Sequence, residues 1–232
     1  MDFTIYQGRI DITEPGGQTV EYENFILTAN PDGKRTLRTL TRSPKGDLLR
    51  DATQLVTADW RPVDAMGRLY YKGVDCGTVV RRVFGDKLQS WAWDRDSEAV
   101  DYAEFDAPPK MLLGFHPIFH DAWKMCHLDT SHTDLQDLLT HSVSNTWNGR
   151  TLSHGQKIEG KARFEKTETI AVPAGEIECQ RFYWHTSFGK DLRIWRTGPH
   201  HIFVRLDVVN GDKEGTVYEL AELSETAVMA RA

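Results

Sequence analysis

Cysteine is scarce in this chain: Cys76, Cys126 and Cys179 are the only three in 232 residues, far apart and outside any CxxC spacing. An odd number of scattered thiols argues against a disulfide framework or a zinc ribbon and suits reduced cytosolic cysteine. Long apolar runs are missing too, and no window approaches the roughly eighteen residues of a spanning helix. The opening Met1-Asp2-Phe3-Thr4-Ile5-Tyr6 holds neither a positive n-region nor an apolar h-region. These absences lead us to expect a cytoplasmic protein with no membrane partner, although a mature chain stripped of its signal would look the same. Charge of one sign is also absent. With 28 basic and 34 acidic residues the net charge is −6, spread without an acidic tail or basic block. Nucleic acid is therefore not expected as a partner. No GxGxxG, GxxxxGK[ST] or GxSxG stretch occurs, so dinucleotide, P-loop and α/β-hydrolase chemistry are not expected. An enzyme here would work without an organic cofactor.

What the chain does have is turns. Glu14-Pro15-Gly16-Gly17, Asn30-Pro31-Asp32-Gly33 and Ser43-Pro44-Lys45-Gly46 punctuate β-like runs and suit a meander of antiparallel strands. Further strands are expected over 52–57, 61–72, 77–84 and 87–93, the last two joined at Gly85-Asp86. After a break at Pro108-Pro109, a second set runs through 161–171, 176–187, 190–196, 200–209 and 215–223, and Asn148-Gly149 is a strong hairpin cue. The expected fold is all-β: curved antiparallel sheets forming an open barrel or a half-barrel pair, with a short helical crossover near the middle. We expect one β domain over 1–232, or alternatively two β halves, 1–95 and 144–232, joined by a His-rich crossover, 96–143.

The crossover concentrates titratable and apolar side chains. Pro117 is suited to the first position of a helix, placing His116 just before it and His120, Trp123 and His127 at helical spacing after it. A second helical pattern is read at 134–141 from Leu135, Leu138 and Leu139. Imidazole titrates near neutrality, and a carboxylate can fix its tautomer, so His116 or His120 is the candidate base and Asp121 the orienting acid. The alternative is structural, with the histidines capping the crossover while Phe115, Ile118, Phe119 and Trp123 fill the core. Histidines four apart also bind zinc or iron if His127, Asp121 or His132 adds a third ligand, but the HExxH glutamate is missing. We expect no metal.

In the last third, period-two alternation gathers Arg181, Tyr183, His185, Arg193, Trp195 and Arg205 on one face and aliphatic residues on the other. On the concave side, with Trp123 and His127, Arg181, Tyr183, His185, Trp195 and Arg205 would clamp an aromatic or anionic ligand. On the convex side they would be cross-strand pairs in solvent.

The order T-E-T-I-A-V-P-A-G (167–175), a long strand, G-K-D-L-R-I-W (189–195) and V-Y-E-L (217–220) resembles the curved-sheet families related to bacterial lipoprotein carriers of the LolA and LppX type. That resemblance implies a bent antiparallel sheet wrapped around apolar side chains, a ligand or a helix. The function expected is a cofactor-independent lyase, isomerase or hydratase. It would work by His/Asp acid–base chemistry on a small hydrophobic metabolite, an aromatic one included. The alternative is a non-catalytic carrier of an apolar ligand. Oligomeric state stays open.

Overall fold

Glycines in left-handed backbone conformations set the rhythm of the first half. A computed structural model of the protein describes residues 3–94, 99–115, 117–143 and 154–228. Strand β1 (Phe3–Thr13) turns through Gly16 and Gly17 (φ 103° and 85°) into β2 (Thr19–Ala29). Gly33 (φ 82°) leads into β3 (Arg35–Arg42), and Gly46 (φ 92°) into β4 (Leu48–Val56). Such φ values cost glycine no Cβ clash, which is why these turns are tight. The meander continues through β5 (Pro62–Tyr71), β6 (Val74–Phe84), β7 (Lys87–Asp94) and β8 (Asp101–Asp106).

The crossover contributes a short strand, β9 (Leu112–Gly114), and a five-residue helix, α1 (Phe119–Trp123). The chain then returns through β10 (Gln136–Ser142), β11 (Gln156–Val172), β12 (Gly175–Thr186), β13 (Asp191–Thr197), β14 (Ile202–Asn210) and β15 (Val217–Val228).

Among the described residues all fifteen strands belong to one open, curved sheet of order β8-β7-β6-β5-β4-β3-β2-β1-β15-β14-β13-β12-β11-β10-β9. The expected all-β architecture is thus what forms. First and last strands meet at its middle, from Phe3 opposite Val228 to Thr13 opposite Val217. Described neighbours run antiparallel except β9 and β10, which pair in parallel.

Alternation decides what faces inward. Phe25, Leu27, Leu37 and Val56 from the first half meet Phe182, Ile194, Leu206 and Leu220 from the second, all almost fully buried. The helix lies among them, with Phe119, Ala122 and Trp123 buried in the same cluster.

The crossover also packs on the inner face of the first half. A Cβ at Gly67 would stand 2.7 Å from Phe115 Cδ1, so only glycine admits that ring. Beside it Arg81, wholly buried, donates from Nη1 to the His141 carbonyl at 2.9 Å and from Nη2 to the His154 carbonyl. This side chain tethers β6 to β10 without a backbone ladder between them.

Two local expectations are corrected. Of the segment at 134–141, residues 136–141 are strand, because β10 satisfies their backbone between β9 and β11 and turns Leu138 and Thr140 inward, while Leu135 precedes the strand and stays exposed. The crossover helix is shorter than its spacing implied: 124–127 are turn, and His127 does not continue α1. The Asn148-Gly149 cue lies outside the described residues.

Candidate functional site

Between α1 and the second half of the sheet lies a cavity of about 340 Å³, within the size range of small-molecule sites. Ile12, Ile118, Ile158, Leu192, Leu206 and Tyr218 supply apolar wall, and Trp184 adds an indole face. The β1–β2, β12–β13 and β14–β15 turns lie at this end of the sheet, and their residues Phe188 and Lys213 line its mouth. At the opposite end an aromatic group fills the interior. Trp60 stacks on His201 at 4.3 Å and meets Trp123 edge-on at 5.5 Å, with the Arg35 guanidinium 4.0 Å from its ring centroid.

Charged residues of the wall occur in pairs. Lys124 Nζ lies 2.6 Å from Asp121 Oδ1 and 4.7 Å from the Trp184 ring centroid. Arg50 is paired with Glu21, Lys190 with Asp212 at 3.6 Å, and Lys213 with Glu14 at 3.1 Å.

The acid–base expectation is corrected by this arrangement. His116 lies outside the described residues. His120 is buried with neither ring nitrogen hydrogen-bonded among the described residues, and its ring stacks on Trp123 at 5.9 Å. Burial, reinforced by nearby Lys124, pushes its pKa down to about 3. A base must accept a proton near the working pH and reach the ligand. His120 stays neutral and is not among the residues lining the cavity. Asp121 does line the cavity, but it is paired with Lys124 rather than with an imidazole. Among the described residues no cluster of three or more His, Cys, Asp or Glu side chains could hold a metal ion.

The other expected ligand contacts are placed elsewhere. Trp123 is buried, donating from Nε1 to the His200 carbonyl at 3.2 Å. His127 lines a second cavity of about 330 Å³ with Lys110, Leu128 and Gln136. Arg181, Tyr183, His185 and Arg205 stand on the convex face, because Phe182, Trp184, Ile194 and Leu206 take the inner positions of the same strands, while Trp195, at a register shift in β13, is itself buried and belongs to the core cluster. There Arg181 pairs with Glu165 at 2.7 Å and Glu168 at 3.0 Å, while Arg205 pairs with Asp207 and Glu219, each at 2.7 Å. The Trp195 ring lies between them, with guanidinium carbons at 5.9 Å and 5.7 Å. Tyr183 and His185 both reach Asp191, each at 2.7 Å. The outcome is a row of cross-strand pairs.

Reading from residue types missed the buried carboxylate of Glu23. It accepts from the Ile118 and Phe119 backbone N–H groups at 3.0 and 2.9 Å and from the Thr41 hydroxyl at 2.9 Å, so it fixes the start of α1 inside the sheet. Burial pushes its pKa up to about 7 against the pull of those bonds and of Arg50. The signal was parity: Glu23 shares a face with Phe25 and Leu27. Lys190 was likewise unread.

No known family's sequence profile matches the chain, and no curated protein does. Solved structures resemble it in fold. A β-barrel-like protein of the domain of unknown function DUF1849 from Brucella abortus aligns with a TM-score of 0.55 at 9% identity, over 97% of this chain and 97% of that one. A protein provisionally named a lipoprotein, from Parabacteroides distasonis, gives 0.42 at 11% identity, over 95% and 94%. A protein with a YmcC-like fold provisionally named as exported, from Bacteroides fragilis, gives 0.45 at 12% identity, over 94% and 95%.

The first of these shows a β-barrel-like fold. With no imidazole–carboxylate pair at the cavity among the described residues, the lyase, isomerase or hydratase expectation is withdrawn. The cytoplasmic expectation is withdrawn as well. Its thiol argument also lapses, because burial pushes Cys126 and Cys179 up to about 12 and makes them poorly reactive in any compartment.

Proposed function

We propose that this protein is a non-catalytic binding protein or carrier for a small apolar ligand, held in the cavity between α1 and the second half of the sheet. The observation that carries the reading is the wall itself. Aliphatic side chains from β1, β11, β13 and β14 converge with Ile118 on one space of about 340 Å³, large enough for a small metabolite or a short chain. Each ligand methylene that leaves water there contributes about 0.8 kcal/mol. No proton transfer is needed for such a role, which agrees with the neutral, enclosed His120.

The test is titration with Nile red, an uncharged apolar dye, followed by its emission. Saturable binding is expected, with quenching or a shift of tryptophan fluorescence because Trp184 forms part of the wall. Ile158→Trp places an indole in the cavity from a half-buried position and is expected to weaken binding at least tenfold while the circular dichroism spectrum is kept. Equal dye binding by a folded Ile158→Trp variant would remove the cavity from the explanation.

A further inference from the structure

The two cavities meet at one residue of the crossover. Lys124 lines both the space of about 340 Å³ beside Trp184 and the space of about 330 Å³ beside His127. The sheet beneath it is continuous. Thr140 of β10 borders the first cavity, and its pairing partner on β9, Leu112, borders the second. Paired strands lie about 4.8 Å apart, so the two spaces adjoin within one strand spacing. Leu138, two residues before Thr140 and on the same face of β10, also borders the second cavity.

Lys124 divides these spaces with a movable part. Its Nζ lies 2.6 Å from Asp121 Oδ1 and 4.7 Å from the Trp184 ring centroid, and both of those partners line the first cavity. The ammonium is therefore settled on that side, and the second cavity meets the rest of the residue. A lysine stem is apolar and turns about several bonds, so it can change its path while the ammonium keeps its carboxylate. The aliphatic lining runs on across this divide, from Leu192 and Leu206 on one side to Leu112, Leu128 and Leu138 on the other.

Resting on the apolar-ligand reading above, which the first cavity carries alone, we propose that the ligand is a long unbranched hydrocarbon chain that runs from the first cavity past the Lys124 stem into the second. A bulky ring or a branched chain fills one compartment and stops at the lysine. A linear chain needs only the width of a single side chain to pass, and each methylene beyond the divide exchanges water for leucine. The second cavity nearly doubles the length of chain that the fold can shelter.

The test uses the full chain and four uncharged linear probes, octanol, decanol, dodecanol and tetradecanol, each titrated against bound Nile red below its solubility limit. Affinity is expected to rise about fourfold per methylene up to tetradecanol. Leu139→Trp sets an indole in the second cavity from a half-buried position. It is expected to lower the ratio of tetradecanol to octanol affinity at least tenfold, with the circular dichroism spectrum kept. Lys124→Ala shortens the divide and is expected to raise that ratio. An affinity that levels off at decanol in the wild type overturns the long-chain assignment. So does a ratio left unchanged by folded Leu139→Trp or, should that variant not fold, by Lys124→Ala. In each of these cases saturable octanol binding leaves the apolar cavity standing, whereas failure of all four alcohols to bind overturns both readings.

Discussion

Glu23 makes stability depend on pH in a direction opposite to that of the buried histidines, and a single substitution isolates it. In the folded protein its carboxyl is raised from 4.5 to about 7, which at 1.36 kcal/mol per tenfold corresponds to about 3 kcal/mol. A carboxyl raised on folding contributes stability that is fully present below 4.5 and is lost as pH climbs through about 7. His120 acts the other way. Lowered from 6.5 to about 3, it contributes stability that is full above 6.5 and lost on acidification, about 2 kcal/mol by about pH 5. His141 and His201, also lowered by burial, add to that acid-side loss. The raw stability curve therefore conceals Glu23.

Subtracting the curve of Glu23→Gln from that of the wild type cancels the histidines. The amide presents its NH2 to one of the backbone donors now facing the carboxylate, an offset of about 1–3 kcal/mol that is independent of pH. The assay is urea unfolding followed by far-UV circular dichroism at intervals from about pH 4.5 to about pH 8. The difference, wild type minus variant, is expected to fall by about 3 kcal/mol across that range. A flat or rising difference refutes the account of a carboxylate held at a cost inside the sheet.

Two further outcomes follow from the same interior. Arg81→Met removes both tethers to the His141 and His154 carbonyls and is expected to cost about 2–4 kcal/mol, with faster hydrogen exchange in β6 and β10; a loss below about 1 kcal/mol would show that the tether is dispensable. At about pH 8 a thiol-reactive disulfide reagent is expected to label Cys76 readily in the native protein, the half-buried Cys126 more slowly because its thiol is held near 12, and the buried Cys179 only on unfolding; rapid labelling of Cys179 without denaturant would contradict that burial.

Turn chemistry made most of the sheet legible. Gly16-Gly17, Gly33 and Gly46 all adopt the left-handed backbone that their sequence context implied, and alternation in β12 to β14 correctly separated Phe182, Ile194 and Leu206 from Arg181, Arg193 and Arg205. Alternation does not say which face is concave. That is set by closure of the whole sheet, so the arginine row could be read as a clamp until the curvature was known. Leu135, Leu138 and Leu139 misled because a short apolar cluster fits a helix as well as a strand, and the pairing of β10 with both β9 and β11 decided the matter. The density of histidines at 116–132 drew attention away from Glu23 and Arg81, isolated charges in strands whose residue types suggest solvent. Nothing near Lys190 in sequence marks it either, since its enclosure comes from Gly211 on another turn.

The seam between β1 and β15 has a consequence for biosynthesis. Phe3 leaves the ribosome long before its partner Val228 exists, so the nascent first half carries an unpaired β1 rim throughout translation. Hairpins with short connections can form as they emerge, whereas the central ladder must wait for the final strand. Until then that rim is a template for pairing with other chains, the situation in which chaperone protection matters most.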